Sequence, residues 1–391
     1  MKSKPTTGKP ALLKKINKNL ITKLIVKHGT ISRSELAKMT NLALVSVMRL
    51  VDELIAEGLV MEIGKGNSTG GRKPSLLTLN KDHRYIVGIE IAIKTYIVIT
   101  DLSGSIIDKW ESKQMAYLSP YEMLETINEK MEAMITGNKI DRDKIAGVGI
   151  GTPGSNFKHL GTVKHSILKG WEEIDVKEWF ENKSDLLFIV DNVARTRTLS
   201  ELWFGKGREL QNFIYIFVDQ GVGCGIVNNQ AIYEGTNSVA GEFGHTVISL
   251  DGRECYCGNK GCIEMYVSAG AITSEAAELL DIVDNDFKFK EVIENSERDG
   301  IAEILKKSGR ILGVGIANLI NVYNPEAVIL GGIVISESKI FAESAIGSVS
   351  ANIFSNNAVS TPIYLSEIND NRVCIGSVAL VINTLFKTIE L

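Results

Sequence analysis

The chain has 391 residues, which at about 150 residues per domain points to two or three domains. A 44% hydrophobic and 23% charged content, with 36 Gly and 7 Pro, is that of a globular chain able to bury a substantial core, and it excludes low-complexity or collagen-like classes. The formal charge of −4 hides an asymmetry: residues 1–84 carry 16 Lys and Arg against 6 Asp and Glu, net +10, while the rest carries 27 against 41, net −14.

A basic front on an acidic body fits a segment that meets polyanions joined to one that avoids them, although charge alone leaves a solvated Lys-rich tail open. No apolar run reaches the roughly 18 residues of a membrane span, and no apolar stretch follows the Lys-rich N-terminus as in a secretory signal. The expectation is a cytoplasmic protein without a membrane partner.

In chain order, Leu12, Leu13, Ile16, Leu20, Ile21, Leu24 and Ile25 recur at helical spacing, predicting a helix to Lys27 with one buried stripe. Gly29 ends it. Ser32 and Glu35 form a capping-box pair for a second helix, Arg33 to Met39, which breaks at Thr40-Asn41-Leu42. A third helix runs from Leu44 to Glu57 with Val47, Leu50, Val51 and Leu54 on its buried side. Two helices joined by such a short turn make a helix-turn-helix, whose second helix enters the DNA major groove. Strands at Leu59–Ile63 and Leu76–Leu79 then flank a glycine-rich hairpin carrying Lys65, Arg72 and Lys73, a wing able to meet phosphates or the minor groove. A helical protein-interaction domain would not need three cations there. The candidate contacts with double-stranded operator DNA are Ser32, Arg33, Ser46, Arg49, Lys65, Arg72 and Lys73. Ala43, Leu44 and Val45 are apolar, so readout would draw on thymine methyls, Arg49 and the wing.

From Tyr85 strands alternate with helices: strands at Tyr85–Ala92, Tyr96–Leu102, Ile145–Ile150, Leu186–Val190, Phe213–Val218 and Ala327–Leu330, helices at Pro120–Met134 and Ala194–Phe204. This implies mixed α/β sheets. Glycines at Gly221, Gly223, Gly225, Gly331 and Gly332 are expected where backbone approaches a ligand in a cleft, with tight turns as the bland alternative.

Of five cysteines, three fall at Cys255, Cys257 and Cys262, nine residues after Gly244-His245. One imidazole and three thiolates make a closed, tetrahedral zinc set of structural type, with no position left for an activated water. Cys224 and Cys374, scattered, are expected as buried free thiols in a reducing compartment.

The combination resembles the ROK family (repressor, open reading frame, kinase), in its repressor branch and there the regulators of xylose operons. It runs over nearly the whole chain, and its most specific part is Glu242-Phe243-Gly244-His245 followed by Cys255-Tyr256-Cys257-Gly258-Asn259-Lys260-Gly261-Cys262-Ile263-Glu264. The resemblance implies an α/β protein: an N-terminal winged helix-turn-helix domain, residues 1–82, then a two-lobed actin-like, ribonuclease H-like ROK domain, residues 83–391. It implies zinc held by His245, Cys255, Cys257 and Cys262, a homodimer or higher oligomer, and a small-molecule effector, a sugar. Gly154, Asn192, Glu242, His245 and Glu264 would line the effector site, with support of the zinc ligands as the alternative role for the two glutamates. Kinase members open with Asp-x-Gly-Gly-Thr, where this chain reads Glu90-Ile91-Ala92-Ile93-Lys94. Their Gly-Thr-Gly loop is Gly221-Val222-Gly223, and their Asn-Asp-Ala base motif is Asn192-Val193-Ala194. Losing a general base costs about 10²–10⁴-fold. Ile167 stands where an asparagine is usual, making the pocket more apolar than a hexose site. A regulator is therefore expected, not an enzyme, with a sugar kinase carrying a DNA-binding domain as the competing reading and a partner-responsive regulator as a third.

Overall fold

The computed structural model describes residues 10–65, 75–92, 94–112, 114–157, 162–164, 168, 170–171, 173–282, 287–354, 361–368 and 374–386. The basic segment folds as α1 (Pro10–His28), β1 (Ile31–Ser32), α2 (Arg33–Thr40), α3 (Leu44–Ala56), β2 (Val60–Lys65) and β3 (Ser75–Leu79), the strands ordered β1-β3-β2. Val47, Leu50, Val51 and Leu54 are the buried side of α3, as the spacing predicts. The stripe of α1 is shorter than expected, because burial is confined to Ile21, Thr22, Ile25, Val26 and Lys27, while Leu13 is 43% exposed. In the first half of α1 the contact with α3 is ionic instead of apolar: Lys14 reaches Glu53 at 2.7 Å and Lys18 pairs with Glu57.

From β4 (Tyr85–Glu90) an antiparallel meander passes through β5 (Thr95–Asp101) and β6 (Ile106–Ser112), and α4 (Pro120–Gly137) crosses to β7 (Ile145–Thr152), parallel to β4. A small sheet of β8 (Ser155–Phe157), β9 (Thr162–Lys164) and β10 (Ile174–Asp175) follows, then α5 (Val176–Glu181) and β11 (Phe188–Asn192), which completes the order β11-β7-β4-β5-β6. After α6 (Val193–Phe204), the meander recurs as β12 (Phe213–Val218), β13 (Val222–Asn228) and β14 (Ala231–Ile232). Helices α7 (Glu264–Val267), α8 (Ala269–Leu279), α9 (Phe289–Glu294) and α10 (Asp299–Tyr323) lead to β15 (Ala327–Gly331), parallel to β12. Helices α11 (Ile333–Glu337) and α12 (Lys339–Val349), strand β16 (Ile363–Leu365) and α13 (Ile375–Leu385) complete the path. The second sheet is ordered β14-β13-β12-β15-β16.

Counted within each half, the two large sheets share one plan. The first strand is central, the second and third run back antiparallel on one side, and the fourth is parallel on the other. This repeat is the two-lobed architecture expected. Strands β4, β5 and β7 are buried on both faces, so they read as continuous apolar runs. Strand β6 escaped the sequence pattern because it is an edge strand whose Ile106 and Ile107 are exposed.

By compactness the chain divides into a unit of Met1–Gly151, Val176–Val190 and Ser377–Leu391 and a unit of Thr152–Asp175 and Asp191–Gly376. The winged segment groups with the first unit, and the expected boundary after residue 82 falls inside it. The joining turn is tied on both sides: the Asn80 amide donates to Gly58 O at 2.8 Å, and Lys144 Nζ to Asp82 O at 3.3 Å. In the second unit the core gathers Ile214, Ile216, Phe243, Ile263, Leu312, Ile316 and Phe341 between the sheet and α10 and α12.

Candidate DNA interface, metal cluster and effector site

The capping box that starts α2 is formed as predicted, and it uses up Ser32. Its amide donates to Glu35 Oε2 at 2.8 Å, its hydroxyl accepts from the Glu35 amide at 3.3 Å, and the residue is 2% exposed. Those hydrogen bonds hold the Glu35 carboxyl below its usual range. Arg33 is likewise engaged within the domain, its guanidinium bridging Asp52 of α3 at 2.9 Å and Glu62 of β2. Both residues, expected at DNA, serve the domain's own frame, because a cap and a two-carboxylate bridge satisfy their polar atoms. Ser46 and Arg49 stand on the outer face of α3 with Leu44, Val45 and Met48, Val45 being 78% exposed. The only ion pair printed for Arg49 among the described residues is a long one, Nε to Glu53 at 4.0 Å. Lys65 ends the β2–β3 ladder opposite Ser75. Arg72 and Lys73 lie outside the described residues, as do Ile93 and Ile167.

In the second unit a short turn, Phe243–His245, brings His245 to the cysteine loop. The loop folds back on itself through Cys255 N to Asn259 O (2.9 Å), Gly258 N to Cys255 O (3.0 Å) and Gly261 N to Arg253 O (2.8 Å), with Gly258 at φ +93°. Ligand atoms of His245, Cys255, Cys257 and Cys262 lie within 4.8 Å of one another. His245 Nδ1 faces Cys255 Sγ at 3.6 Å, and Cys257 Sγ faces Cys262 Sγ at 3.7 Å. Burial pushes the Cys255 thiol up and the Cys262 thiol up to about 12, so these sulfurs need a countercharge to act as thiolates. A divalent cation supplies it, and one imidazole with three sulfurs is a zinc donor set. The residues present fit that metal.

The effector candidates fall into two groups, both in the second unit. Asn192 caps α6, its Oδ1 accepting from Ala194 N at 2.6 Å while its amide donates to Gly154 O. Glu264, 5% exposed, accepts from Val222 N at 2.7 Å. Tyr256, which sequence reasoning passed over, places its hydroxyl 3.3 Å from His245 Nε2 and is hydrogen-bonded to Glu264, and Glu242 acts on it electrostatically. Only its spacing between two cysteines marks it in the sequence.

The cleft reading of the glycine loops is corrected. A Cβ on Gly223 would strike the Phe217 ring, one on Gly225 the Thr198 side chain, and one on Gly331 would come 2.5 Å from Tyr215 Oη. These glycines make room for the protein's own side chains. Asp219, also unanticipated, accepts from Ile333 N at 2.6 Å at the start of α11 and pairs with Arg197. Next to Val193, Arg195 Nε donates to Asp191 Oδ1 at 2.6 Å, and its Nη1 to Ser238 O at 2.6 Å.

The ROK family profile matches residues 86–384. The chain is 31% identical to the xylose repressor of Caldicellulosiruptor bescii over 393 residues, covering 97% of this chain and 98% of that one. In fold it is similar to a ROK family transcriptional regulator, a homologue of the E. coli MLC protein, with TM-score 0.80, 22% identity and coverage of 96% and 97%. A ROK glucokinase from Streptomyces griseus, solved with glucose and AMPPNP, gives TM-score 0.66 at 23% identity and covers 75% of this chain and 97% of its own. The regulators match end to end and the kinase only the body, and the chain belongs to the ROK family, among its transcriptional regulators.

Proposed function

We propose that the protein is a repressor of carbohydrate-utilisation genes that binds operator DNA through residues 1–82 and a sugar through residues 83–391. Likeness to xylose repressors makes xylose the first sugar to test. The observation that carries the DNA half is the outer face of α3, where Leu44, Val45, Ser46, Met48 and Arg49 are all exposed on a helix otherwise packed into its domain. Lys65, Arg72 and Lys73 would add phosphate or minor-groove contacts from the wing. A homodimer would read two half-sites about one helical turn apart, in the cytoplasm where the chromosome lies. Gly154, Asn192, Glu242, His245 and Glu264 supply donors and acceptors for sugar hydroxyls, and zinc at His245, Cys255, Cys257 and Cys262 fixes the loop that carries them. To release DNA, the sugar must bind one conformation better than the other, not merely tightly.

Phosphoryl transfer has no support in the site. Val193 cannot take a proton, and the Asp219 carboxylate already occupies the amide that begins α11, repelling an anionic ligand there. Deleting residues 1–82 is expected to abolish a gel shift on upstream DNA, and xylose to weaken the shift of the intact chain. A truncated chain that still shifts that DNA refutes the assignment. An ADP-coupled assay with pentoses and hexoses separates the kinase reading, for which no turnover is expected.

A further inference from the structure

Tyr256 sits in sequence between two sulfur donors, yet its side chain engages neither role described for them. Its ring stands edge-on to His245, with centroids 5.3 Å apart at 85°, and its hydroxyl lies 3.3 Å from Nε2. The two nitrogens of that imidazole thus have different surroundings: Nδ1 faces Cys255 Sγ at 3.6 Å, and Nε2 faces the phenol. A ring nitrogen that ligates a cation carries no proton, so with Nδ1 on the metal the single N–H is on Nε2 and is donated to Tyr256 Oη. The phenol then has its own proton to give, and the carboxylate bonded to it is that of Glu264. Burial first, and the charge of Glu264 next, push this phenol up, which keeps the proton on oxygen. Glu264 in turn accepts the Val222 amide at 2.7 Å, at the start of β13. Tyrosine suits this place because a phenol both accepts and donates, whereas phenylalanine of the same shape does neither.

We propose that Tyr256 is a positioning residue in a relay from His245 Nε2–H through the phenol to Glu264 and the Val222 amide, by which the metal cluster and the Gly221–Gly223 hairpin hold each other in place. The relay rests on the metal reading of the cluster and is independent of which sugar binds. Partners that orient a ligating histidine typically contribute about 10–100-fold to metal affinity. The consequence is coupling across two loops: disturbing the hairpin loosens the metal, and removing the metal frees the hairpin.

The test uses the full-length chain, purified with zinc, and the variant Tyr256→Phe. Transfer of zinc to a coloured chelator is expected to be about 10–100-fold faster in the variant, with faster hydrogen exchange at the Val222 amide. With zinc stripped from both, the melting temperatures and Val222 exchange should agree, which a merely structural role for the ring would not produce. Cobalt in place of zinc should give a shifted visible spectrum in the variant, because His245 has lost its orienting bond. Glu264→Gln, which weakens the far end of the relay, is expected to speed zinc transfer by a smaller factor and serves if Tyr256→Phe folds poorly. Wild type and Tyr256→Phe releasing zinc at one rate would overturn the relay alone. Wild-type protein that retains no zinc overturns the metal reading, and the relay with it.

Discussion

Arg33 and Arg49 are the two arginines of the helix pair, and their surroundings separate their roles. Arg33 bridges Asp52 and Glu62 with its side chain 19% exposed, whereas the Arg49 side chain is 73% exposed. Arg33→Ala is expected to lower stability modestly, since partly exposed ion pairs contribute about 0.2–1 kcal/mol each. Arg49→Ala should leave the melting temperature unchanged and weaken operator binding about tenfold or more, in keeping with about 1–3 kcal/mol for a base contact. Melting curves and gel shifts on the same two variants check this, and the opposite pairing of effects would exchange their roles. The Ser32 cap was legible in sequence because its partner is three residues away. The partners of Arg33 lie 19 and 29 residues distant, so only the fold could remove it from the DNA face. A different residue sets a pH dependence. Glu201 in α6 is 0% exposed, and burial raises its carboxyl above the ordinary value of 4.5, against hydrogen bonds from Ser366 Oγ and the Lys206 amide. An acid whose folded value is raised binds its proton more tightly when folded, so its contribution is fully present below 4.5 and is lost as pH rises through the folded value. Glu201→Gln is expected to flatten that decline and to be at least as stable as wild type at neutral pH. Denaturant titrations across the pH range would expose an unaltered slope, which would argue that Glu201 ionises normally.

At the scale of elements, the longest helix shows what pattern reading misses. Helix α10 spans 25 residues, and its sequence contains Gly300, Gly309, Gly313 and Gly315, residues that lower helix propensity and mask the periodic stripe. Their reason is tertiary. A Cβ on Gly309 would come 2.5 Å from Phe341 O, and one on Gly313 would strike Ala345 O, so α10 and α12 approach with backbone against backbone. Gly313→Ala should therefore destabilise, although alanine is the better helix former. Overpacking of this kind costs about 1–3 kcal/mol, against roughly 1 kcal/mol gained in propensity. Urea unfolding that finds the variant more stable would mean the helices separate at no cost. The same logic explains the glycine hairpin at Gly221–Gly225, which was read in sequence as room for a ligand and proves to be room for Phe217 and Thr198. Glycine reports that something comes close, and the sequence does not say what. The cysteine loop was legible because a metal set is a matter of residue type and spacing, whereas Tyr256 was not, because its partners are assembled by folding.

For the whole molecule, the division into units places a constraint on control. Helix α3 belongs to the first unit, while Gly154, Asn192, Glu242, His245 and Glu264 all belong to the second. The chain passes between units after Gly151, Asp175, Val190 and Gly376, and two of those passages adjoin Gly154 and Asn192, which are hydrogen-bonded to each other. A ligand that engages this pair acts on the backbone leading directly into the unit that carries the DNA reader. The proposed control is then a coupling free energy, and it is reciprocal: the factor by which sugar weakens operator binding must equal the factor by which operator weakens sugar binding. Couplings of about 1–3 kcal/mol correspond to about 5–150-fold. Titration calorimetry with xylose, in the absence and presence of saturating operator duplex, is expected to give a ratio of sugar Kd values within that range and matching the shift in operator Kd. Asn192→Ala should remove the coupling together with its bond to Gly154, while leaving sugar-free operator binding intact. Sugar affinity that is identical with and without DNA, in a chain that binds both, would mean that the second unit does not report to α3.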